Sequence, residues 1–204
     1  MKMKKEISRC SWTKNDPIYI RYHDFEWGVP VFDDKNLFEN LTLEIFQAGL
    51  NWLLILKKRE EFKRCFDNFN INKIAKYSEL EINQLMQEKG IVRNKLKILA
   101  TINNAKQTLK IQKEFESFNK YLWSFNNYKI IKNKYKHIKD IPSQTILSKK
   151  ICKDLKKRGF KFIGPKIIYA FMQSSGMVND HIVTCFKYNE SNKTKKGIEN
   201  RDYL

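Results

Sequence analysis

The sequence predicts an all-α protein that folds as a single domain, built from two helical lobes at most. Its 204 residues are enough to bury a sizeable core. Only 7 glycines and 4 prolines are present, which argues against a turn-rich all-β fold. With 42% hydrophobic and 13% aromatic residues, the chain is globular rather than disordered. Between the two ends, the apolar residues recur with the period of an α-helix.

In the first half of the chain, two helices are expected before residue 70. The pair Asp33-Asp34 can cap a helix that runs to about Trp52. Its stripe on one side consists of Leu37, Leu41, Ala48 and Trp52. The second helix carries Phe62, Cys65, Phe66 and Phe69.

The middle of the chain contains a capped helix, a long helix and a basic segment. The pattern Ser78-x-x-Glu81 is a capping box, and the helix that it opens is expected to stop at Gly90. The long helix that follows has Ile98, Ile102, Ala105 and Leu109 at helical steps. Residues 128–139 are basic with weak alternation, which is consistent with a loop or a short strand pair.

A helix, a short hairpin and a second helix are predicted over residues 148–174. Ile151 and Leu155 mark the first helix, and Gly159 stands where a residue in the left-handed conformation ends it. Pro165 suits the first position of the second helix. The free amides at such a helix start can bind an anion, and the basic side chains beside them favour a phosphate over the alternative of an ordinary helical hairpin. The candidate DNA-binding residues are Lys156, Lys157, Arg158, Gly159, Phe160, Lys161 and Gly164.

The charge balance predicts a polyanionic partner. Forty lysines and arginines against 22 acidic residues give a net charge of +18, which suits a nucleic acid. The alternative is compositional drift, since the chain is rich in lysine, asparagine and isoleucine together. No apolar run approaches a membrane span and the start lacks a signal sequence, so we expect a cytoplasmic monomer with no membrane partner. Residues 1–188 form the predicted domain, and residues 189–204 a basic, disordered tail.

Two cysteines and two histidines form a candidate metal site. Cys10 and His23 lie near the N-terminus, whereas His181 and Cys185 are four residues apart and would share one face of a helix. Two thiolates and two imidazoles make a closed tetrahedral Zn²⁺ site, which would be structural. The alternative is that all four are packing residues. The third histidine, His137, lies among lysines and is expected at the surface.

A carboxylate among aromatic residues forms the second candidate site. Glu44 falls on the apolar stripe of the first predicted helix, where an unpaired carboxylate is costly unless it has a function. Rings around an acid could hold a flat cationic heterocycle. The candidate rings belong to Trp12, Tyr19, Tyr22, Trp27 and Trp52. The alternative is a glutamate at the edge of the stripe, with the aromatic residues in the core.

The sequence resembles the DNA-3-methyladenine glycosylase I family from about residue 9 to residue 185. The matching motifs include LEIFQAGLNW at 43–52, KKRGFKFIG at 156–164 and VNDH at 178–181. Further matches lie at 9–30, 57–59, 90–95, 123–125 and 171–173. The resemblance implies a helix-hairpin-helix DNA glycosylase fold and excision of 3-methyladenine from alkylated double-stranded DNA, in base-excision repair.

The resemblance also implies roles for individual residues. Its structural zinc ligands match Cys10, His23, His181 and Cys185, so a zinc ion would join the two ends of the domain. Glu44 matches the catalytic pocket glutamate of the family. Trp52 and Tyr22 match the residues that contact the base, and Trp12, Tyr19 and Trp27 match the surrounding aromatic wall.

Two positions bear on the mechanism that the resemblance implies. Asn179 stands where the wider superfamily places a catalytic aspartate, so the reaction would depend on the weak glycosidic bond of the cationic substrate. Lys166 stands where bifunctional members place a Schiff-base lysine, but Asn179 replaces the carboxylate helper, which favours a monofunctional glycosylase. The alternatives are a bifunctional glycosylase/lyase that uses Lys166, and a non-catalytic zinc-containing DNA-binding module.

Overall fold

The computed structural model describes residues 7–190, which are predominantly helical as the sequence predicts. The α-helices in this part of the chain are α1 (Pro17–Phe25), α2 (Asp34–Gln47), α3 (Trp52–Lys57), α4 (Arg59–Cys65), α5 (Ile71–Ile74), α6 (Glu79–Gln87), α7 (Lys95–Phe115), α8 (Phe118–Ser124), α9 (Ile146–Lys157), α10 (Pro165–Ser174) and α11 (Lys187–Glu190). Short 3₁₀ helices lie at Ser11–Thr13, Asp67–Phe69 and Ile138–Asp140, and two short strands are β1 (Ile131–Lys132) and β2 (Val178–Asn179). Among these residues, no helix combines the length and the apolar run that a membrane crossing needs.

Helix α11 includes Asn189 and Glu190, which the sequence assigns to the predicted tail. The rest of that tail, and residues 1–6 at the other end, lie outside the described residues.

Helix α2 lies between two hydrophobic cores and contributes side chains to both. Phe38 and Phe46 enter a core with apolar residues of α4–α7, whereas Leu37 and Leu41 enter a core formed with α8–α10. Burial on two sides explains why every residue from 37 to 46 except Asn40 is buried. The carboxylate of Glu44 therefore belongs to a helix that is enclosed by both cores.

Helix α2 ends at Gln47, so the prediction of one continuous helix to Trp52 was wrong. Gly49 adopts a left-handed conformation with φ of +80°, which breaks the helix, and the Asn51 side chain caps the start of α3. Buried Lys97 donates hydrogen bonds to the carbonyls of Phe46 and Ala48, at 2.8 and 2.7 Å. This cation satisfies carbonyl groups at the negative end of α2 and fixes the position of the break.

Other local predictions had mixed outcomes. The Ser78 and Glu81 capping box is present, although its helix ends at Gln87 rather than at Gly90. Phe69 lies in a 3₁₀ helix beyond α4, because Asn68 adopts a left-handed conformation. The basic segment 128–139 contains a single strand, whose partner is a distant segment: β1 pairs in parallel with β2, with Ile131 opposite Val178.

Helices α9 and α10 form the predicted pair of helices with a tight connection. Gly159 has φ of +89° and follows α9, and Pro165 occupies the first turn of α10. Two asparagines of α7 hold the connection: Asn103 donates to the carbonyl of Gly159 at 2.8 Å, and Asn104 bonds both the amide and the carbonyl of Lys161. The hairpin is therefore fixed against the longest helix of the described residues.

The N-terminal segment packs against the end of α10. The amide of Gly28 donates to the carbonyl of Gln173, and the amide of Val31 to that of Ser175. At Gly176 a Cβ atom would lie 2.3 Å from the carbonyl carbon of Val29, so only glycine permits this approach. The close contact brings α1 and α10 to opposite sides of one cavity.

Candidate active site and metal centre

A cavity of about 500 Å³ lies between α1, α2, α3 and α10, which is within the usual size range for small-ligand sites. Its lining residues are Trp12, Tyr19, Tyr22, Trp27, Glu44, Gln47, Trp52, Ile138, Ile141, Pro142, Ser143, Lys166, Tyr169, Ala170 and Gln173. The structure thus brings together all six residues that the sequence assigns to a base pocket. We call this cavity the base pocket, after the role that the sequence predicts for it.

Glu44 is the carboxylate of the base pocket, with 5% of its surface exposed. Burial raises the pKa of its carboxyl to about 8, although a hydrogen bond with the Ser174 side chain acts in the opposite direction. An empty pocket therefore holds Glu44 mainly protonated at neutral pH. A cation placed beside it would favour the ionised form.

The aromatic rings form a wall of edge-to-face and tilted contacts. The Trp12 ring lies 5.6 Å from Tyr19 at 87° and 5.2 Å from Trp27 at 75°, and the Tyr22 ring lies 5.4 Å from Trp52 at 59°. None of these three pairs stacks face to face, and all five rings line the pocket. Burial, followed by the nearby Glu44, raises the pKa of the Tyr22 hydroxyl well above its usual value. Tyr22 is thus a neutral hydroxyl beside the carboxylate.

The sequence assigned no role to several residues of the pocket. Tyr169, Ala170 and Gln173 line it from α10, and their helical spacing was the one signal that could have identified them. The opposite side includes Ile138, from the basic segment 128–139 that is predicted to be a loop or a strand pair, and Pro142, just beyond that segment. No pattern in that segment indicates that it approaches an aromatic site from far along the chain.

The four predicted metal ligands lie together and are almost fully buried. Their ligand atoms all lie within 4.8 Å of one another. Sγ of Cys185 lies 3.4 Å from Nε2 of His23 and 3.6 Å from Nδ1 of His181, and Sγ of Cys10 lies 3.7 Å from the latter. Tetrahedral zinc, with Zn–S of about 2.3 Å and Zn–N of about 2.0–2.1 Å, implies S–N separations of about 3.6 Å. The donor set and its spacing therefore fit a zinc ion.

The outer hydrogen bonds of the two histidines also fit a metal centre. His23 bonds the Asp24 carboxylate through Nδ1 at 2.7 Å, and His181 bonds the carbonyl of Trp27 through Nε2 at 3.1 Å. Each bond leaves the opposite ring nitrogen facing the cysteine sulfurs, which is the arrangement usual around zinc. Arg9 in turn holds Asp24 through three hydrogen bonds of 2.7–3.0 Å.

The Cys/His cluster (Cys10, His23, His181 and Cys185) supports the aromatic wall directly. The Trp12 ring lies 5.3 Å from His23, and the Trp27 ring lies 4.7 Å from His181. His181 and Cys185 do not share a helix, contrary to the prediction. A turn brings them together, with the amide of Cys185 donating to the carbonyl of Ile182 at 2.8 Å. The cluster thus connects the two ends of the described chain behind the base pocket.

The residues predicted to bind DNA occupy the connection between α9 and α10. Lys156, Lys157 and Lys161 are exposed, whereas Phe160 is buried and can offer only its backbone. Arg158 forms ion pairs with Glu114 and Asp154, so its charge is largely engaged within the protein. Helix α10 starts without a side-chain cap, which leaves amides at its N-terminus available to an anion.

Three further residues from the sequence analysis lie in different environments: Asn179, Lys166 and His137. Asn179 is fully buried, donates to the carbonyl of Tyr188 at 3.3 Å, and is not among the residues that line the pocket. Lys166 lines the pocket from the first turn of α10 but is exposed. His137 is exposed, as predicted.

Comparison with known proteins gives consistent matches over most of the chain. The family model described as methyladenine glycosylase matches residues 12–188. The chain is 46% identical over 182 residues to DNA-3-methyladenine glycosylase 1 of Escherichia coli, covering 89% of this chain and 97% of that protein.

Two solved structures are similar in fold. One is 3-methyladenine DNA glycosylase I from Staphylococcus aureus, with a TM-score of 0.85, 38% identity, and coverage of 88% of this chain and 96% of that one. The other is a variant of 3-methyladenine DNA glycosylase I in complex with 3-methyladenine, with a TM-score of 0.86, 37% identity, and coverage of 88% and 97%.

Proposed function

The chain belongs to the methyladenine glycosylase family, and on that premise we propose that it is a monofunctional DNA glycosylase that removes 3-methyladenine from alkylated double-stranded DNA. The proposed reaction hydrolyses the bond between the damaged base and its deoxyribose, as the first step of base-excision repair. The base is turned out of the duplex into the base pocket, because its glycosidic bond is inaccessible inside the stack.

The observation that carries this proposal is the buried Glu44 carboxyl in an aromatic cavity. N3-methylated adenine in DNA is planar and cationic, so it gains from ring contacts and from an ionised carboxylate. Undamaged adenine is neutral and well paired, so it gains less in the pocket and costs more to extrude.

The mechanism that we propose does not require a catalytic aspartate. The methylated base departs as a neutral molecule, so its glycosidic bond breaks without strong acid catalysis. The protein has to hold the extruded nucleotide and favour the positive charge of the transition state while water attacks the sugar. Glu44 accepts hydrogen bonds from the base and stabilises positive charge in the pocket.

We infer that the Cys/His cluster binds a structural zinc ion. Four protein ligands complete a tetrahedral shell and leave no position for water, so the ion supplies folding stability. The buried donors and the outer bonds from Asp24 and Trp27 support this assignment.

The experiment that tests the function is incubation of the purified protein with alkylated duplex DNA. The released base is measured by chromatography, and the DNA strand is examined for cleavage before and after alkali treatment. Release of 3-methyladenine with strand cleavage only after alkali supports a monofunctional glycosylase. DNA binding without base release would instead support a non-catalytic module.

Lys166 provides a specific test of the lyase alternative, because it lines the pocket at the start of α10. We expect borohydride to trap no covalent complex between the wild-type protein and damaged DNA. We also expect Lys166→Ala to retain base release within the same order of magnitude, since the lysine lacks a carboxylate helper at Asn179. A trapped complex that disappears in Lys166→Ala would contradict the monofunctional assignment.

Removal of the charge of Lys157 tests the DNA surface. We expect Lys157→Ala to weaken binding to all duplex sequences alike and to flatten the slope of log K against log salt by about one unit. Lys76→Ala is the matched control, because it removes an exposed lysine between α5 and α6, outside the connection of α9 and α10. Binding is measured by fluorescence anisotropy over a salt series. A loss of affinity that depends on DNA sequence would count against a phosphate contact.

A further inference from the structure

Asp180 is a buried carboxylate behind one wall of the base pocket, with 1% of its surface exposed. Its Oδ2 accepts hydrogen bonds from the Tyr169 hydroxyl at 2.6 Å and from Nε2 of Gln173 at 2.8 Å. Its Oδ1 accepts from Nδ2 of Asn133 at 2.6 Å. Within residues 7–190 no cation forms a salt bridge with it, so three neutral donors satisfy this carboxylate.

Two of the three donors belong to the pocket itself. Tyr169 and Gln173 are four residues apart on α10, so they share one face of that helix, and both line the cavity. Asn133 follows β1 and is not among the lining residues. Asp180 therefore does not line the pocket, but it bonds the groups that do.

These bonds determine which atoms the wall can offer to a ligand. An ionised carboxylate only accepts hydrogen bonds, so the amide of Gln173 must turn Nε2 towards Asp180. The carbonyl Oε1 is then the end of the amide that remains for a ligand. The Tyr169 hydroxyl likewise donates its hydrogen bond to Asp180. The α10 side of the pocket thus presents hydrogen-bond acceptors, as Glu44 does when it is ionised.

We propose that Asp180 is a positioning residue that sets the base specificity of the pocket, by turning the donors of Tyr169 and Gln173 away from the ligand and by placing a second negative charge behind the wall. This inference rests on the proposed glycosylase function. A base that carries amino hydrogens and a positive charge fits such a wall, because it supplies the donors and the cation that the protein lacks there. Neutral adenine supplies no charge and is disfavoured.

The main test compares the affinities of the purified protein for 3-methyladenine and for adenine, in a buffer acidic enough to protonate the free methylated base but not adenine, by calorimetry and by quenching of the pocket tryptophans. Asp180→Asn removes the charge but keeps the shape. We expect the preference for 3-methyladenine to fall about tenfold, the worth of one charge-assisted hydrogen bond. Asp67→Asn is the matched control, because Asp67 accepts a 2.7 Å bond from the Tyr77 hydroxyl far from the pocket, and it should keep the wild-type preference.

A double variant that exchanges the hydrogen-bond donor and acceptor between positions 173 and 180 should restore the preference for 3-methyladenine. In the double variant Gln173→Glu with Asp180→Asn, the amide at position 180 can donate to a carboxylate at position 173, which restores the acceptor in the wall. We expect the double variant to recover most of the lost preference. Gln173→Glu alone places two carboxylates about as close together as Gln173 and Asp180 are now, whose bond is 2.8 Å long. Because the two charges repel each other, this single variant should lose more of the preference for 3-methyladenine than the double variant.

Gln173→Leu keeps the test decisive if Asp180→Asn does not fold. It removes the oriented carbonyl and leaves Asp180 with its other two donors, so we expect a similar loss of preference. The inference is overturned if Asp180→Asn keeps the wild-type preference for 3-methyladenine. If Asp180→Asn does not fold, the same result in Gln173→Leu overturns it. It is also overturned if the double variant prefers 3-methyladenine no more strongly than Asp180→Asn does. Failure of the wild-type protein to release 3-methyladenine would instead refute the proposed function, whatever the variants do.

Discussion

Replacement of Glu44 by glutamine is expected to slow excision of 3-methyladenine by about 10- to 1000-fold, the range expected for one charge-assisted contact in a site without water. Glutamine keeps the shape of the side chain but cannot carry a negative charge beside the cationic base. Binding to undamaged DNA should stay nearly unchanged, because the DNA surface that we propose lies on α9, α10 and their connection rather than in the pocket. Single-turnover excision assays and anisotropy titrations measure the two effects separately.

The raised pKa of Glu44 gives this prediction a pH dependence. The pKa is about 8 in the empty pocket, so the ionised form is the minor one at neutral pH. Since kcat/KM reports groups of the free enzyme, we expect kcat/KM to rise with pH up to about 8 and then to level off. Glu44→Gln should lack this rise. If the variant excises at the wild-type rate, the carboxylate is not part of the reaction.

The raised pKa of Glu44 also predicts that stability falls as pH rises, whereas kcat/KM rises. The folded protein holds the Glu44 proton more tightly than the unfolded chain, where the pKa is near its ordinary value of 4.5. Between pH 4.5 and about 8 the folded state binds more protons, so its free energy of unfolding falls as pH rises. Glu44→Gln should therefore melt at a higher temperature than the wild type at pH 8.5 and at nearly the same temperature at pH 4.

Adding Asn179→Asp to Glu44→Gln tests whether Glu44 takes part in catalysis or only in recognition of the base. If Glu44 is the functional carboxylate, adding Asn179→Asp should not restore excision, because Asn179 is buried and does not line the pocket. Recovery of activity would mean that the position of the superfamily aspartate is still usable. Glu44 would then be a recognition residue only.

Sequence reasoning predicted the features of the fold that depend on local chemistry. The capping box at Ser78, the left-handed Gly159 and the helix start at Pro165 all follow from preferences of single residues, and all are present. The helical character of the chain follows from the spacing of its apolar residues. The helical phase also placed Glu44 on a buried side, although the helix proved to be enclosed by two cores.

The features that were missed depend on contacts between distant segments. The break after α2 is held by Lys97, from a helix that begins some way along the chain, and the pairing of β1 with β2 joins residues 131 and 178. Gln173 and Asp180 form one hydrogen-bonded unit only because the chain turns between them. No periodicity or capping pattern reports such contacts, since each one is formed only when the whole domain folds.

Loss of a metal ligand is the change expected to destabilise this protein most. The Cys/His cluster joins segments more than 150 residues apart, so a zinc ion bound there stabilises the folded state by closing a very long loop. We expect one zinc ion per chain by elemental analysis, and a stability loss of several kcal/mol in Cys10→Ala or His181→Ala. Chemical denaturation of wild type and variants measures this loss.

Cys152→Ala is the matched control for the zinc prediction, because it removes a buried thiol that lies outside the cluster. It should cost about 1 kcal/mol, the usual effect of a small core truncation. A chelator should lower the melting temperature of wild type and of Cys152→Ala, but change the ligand variants much less. Metal-free preparations, or ligand variants that melt like wild type, would contradict the assignment.

The position of the cluster predicts that metal loss also impairs base binding. Trp12 contacts His23, and Trp27 contacts His181 through both its ring and its carbonyl, so the ligands hold two rings of the aromatic wall. Below the unfolding temperature, Cys10→Ala should therefore bind 3-methyladenine more weakly than Cys152→Ala at equal folded fraction. Equal affinities would show that the cluster stabilises the fold without shaping the pocket. Weaker binding would mean that the ion orders the aromatic wall although it takes no part in the reaction.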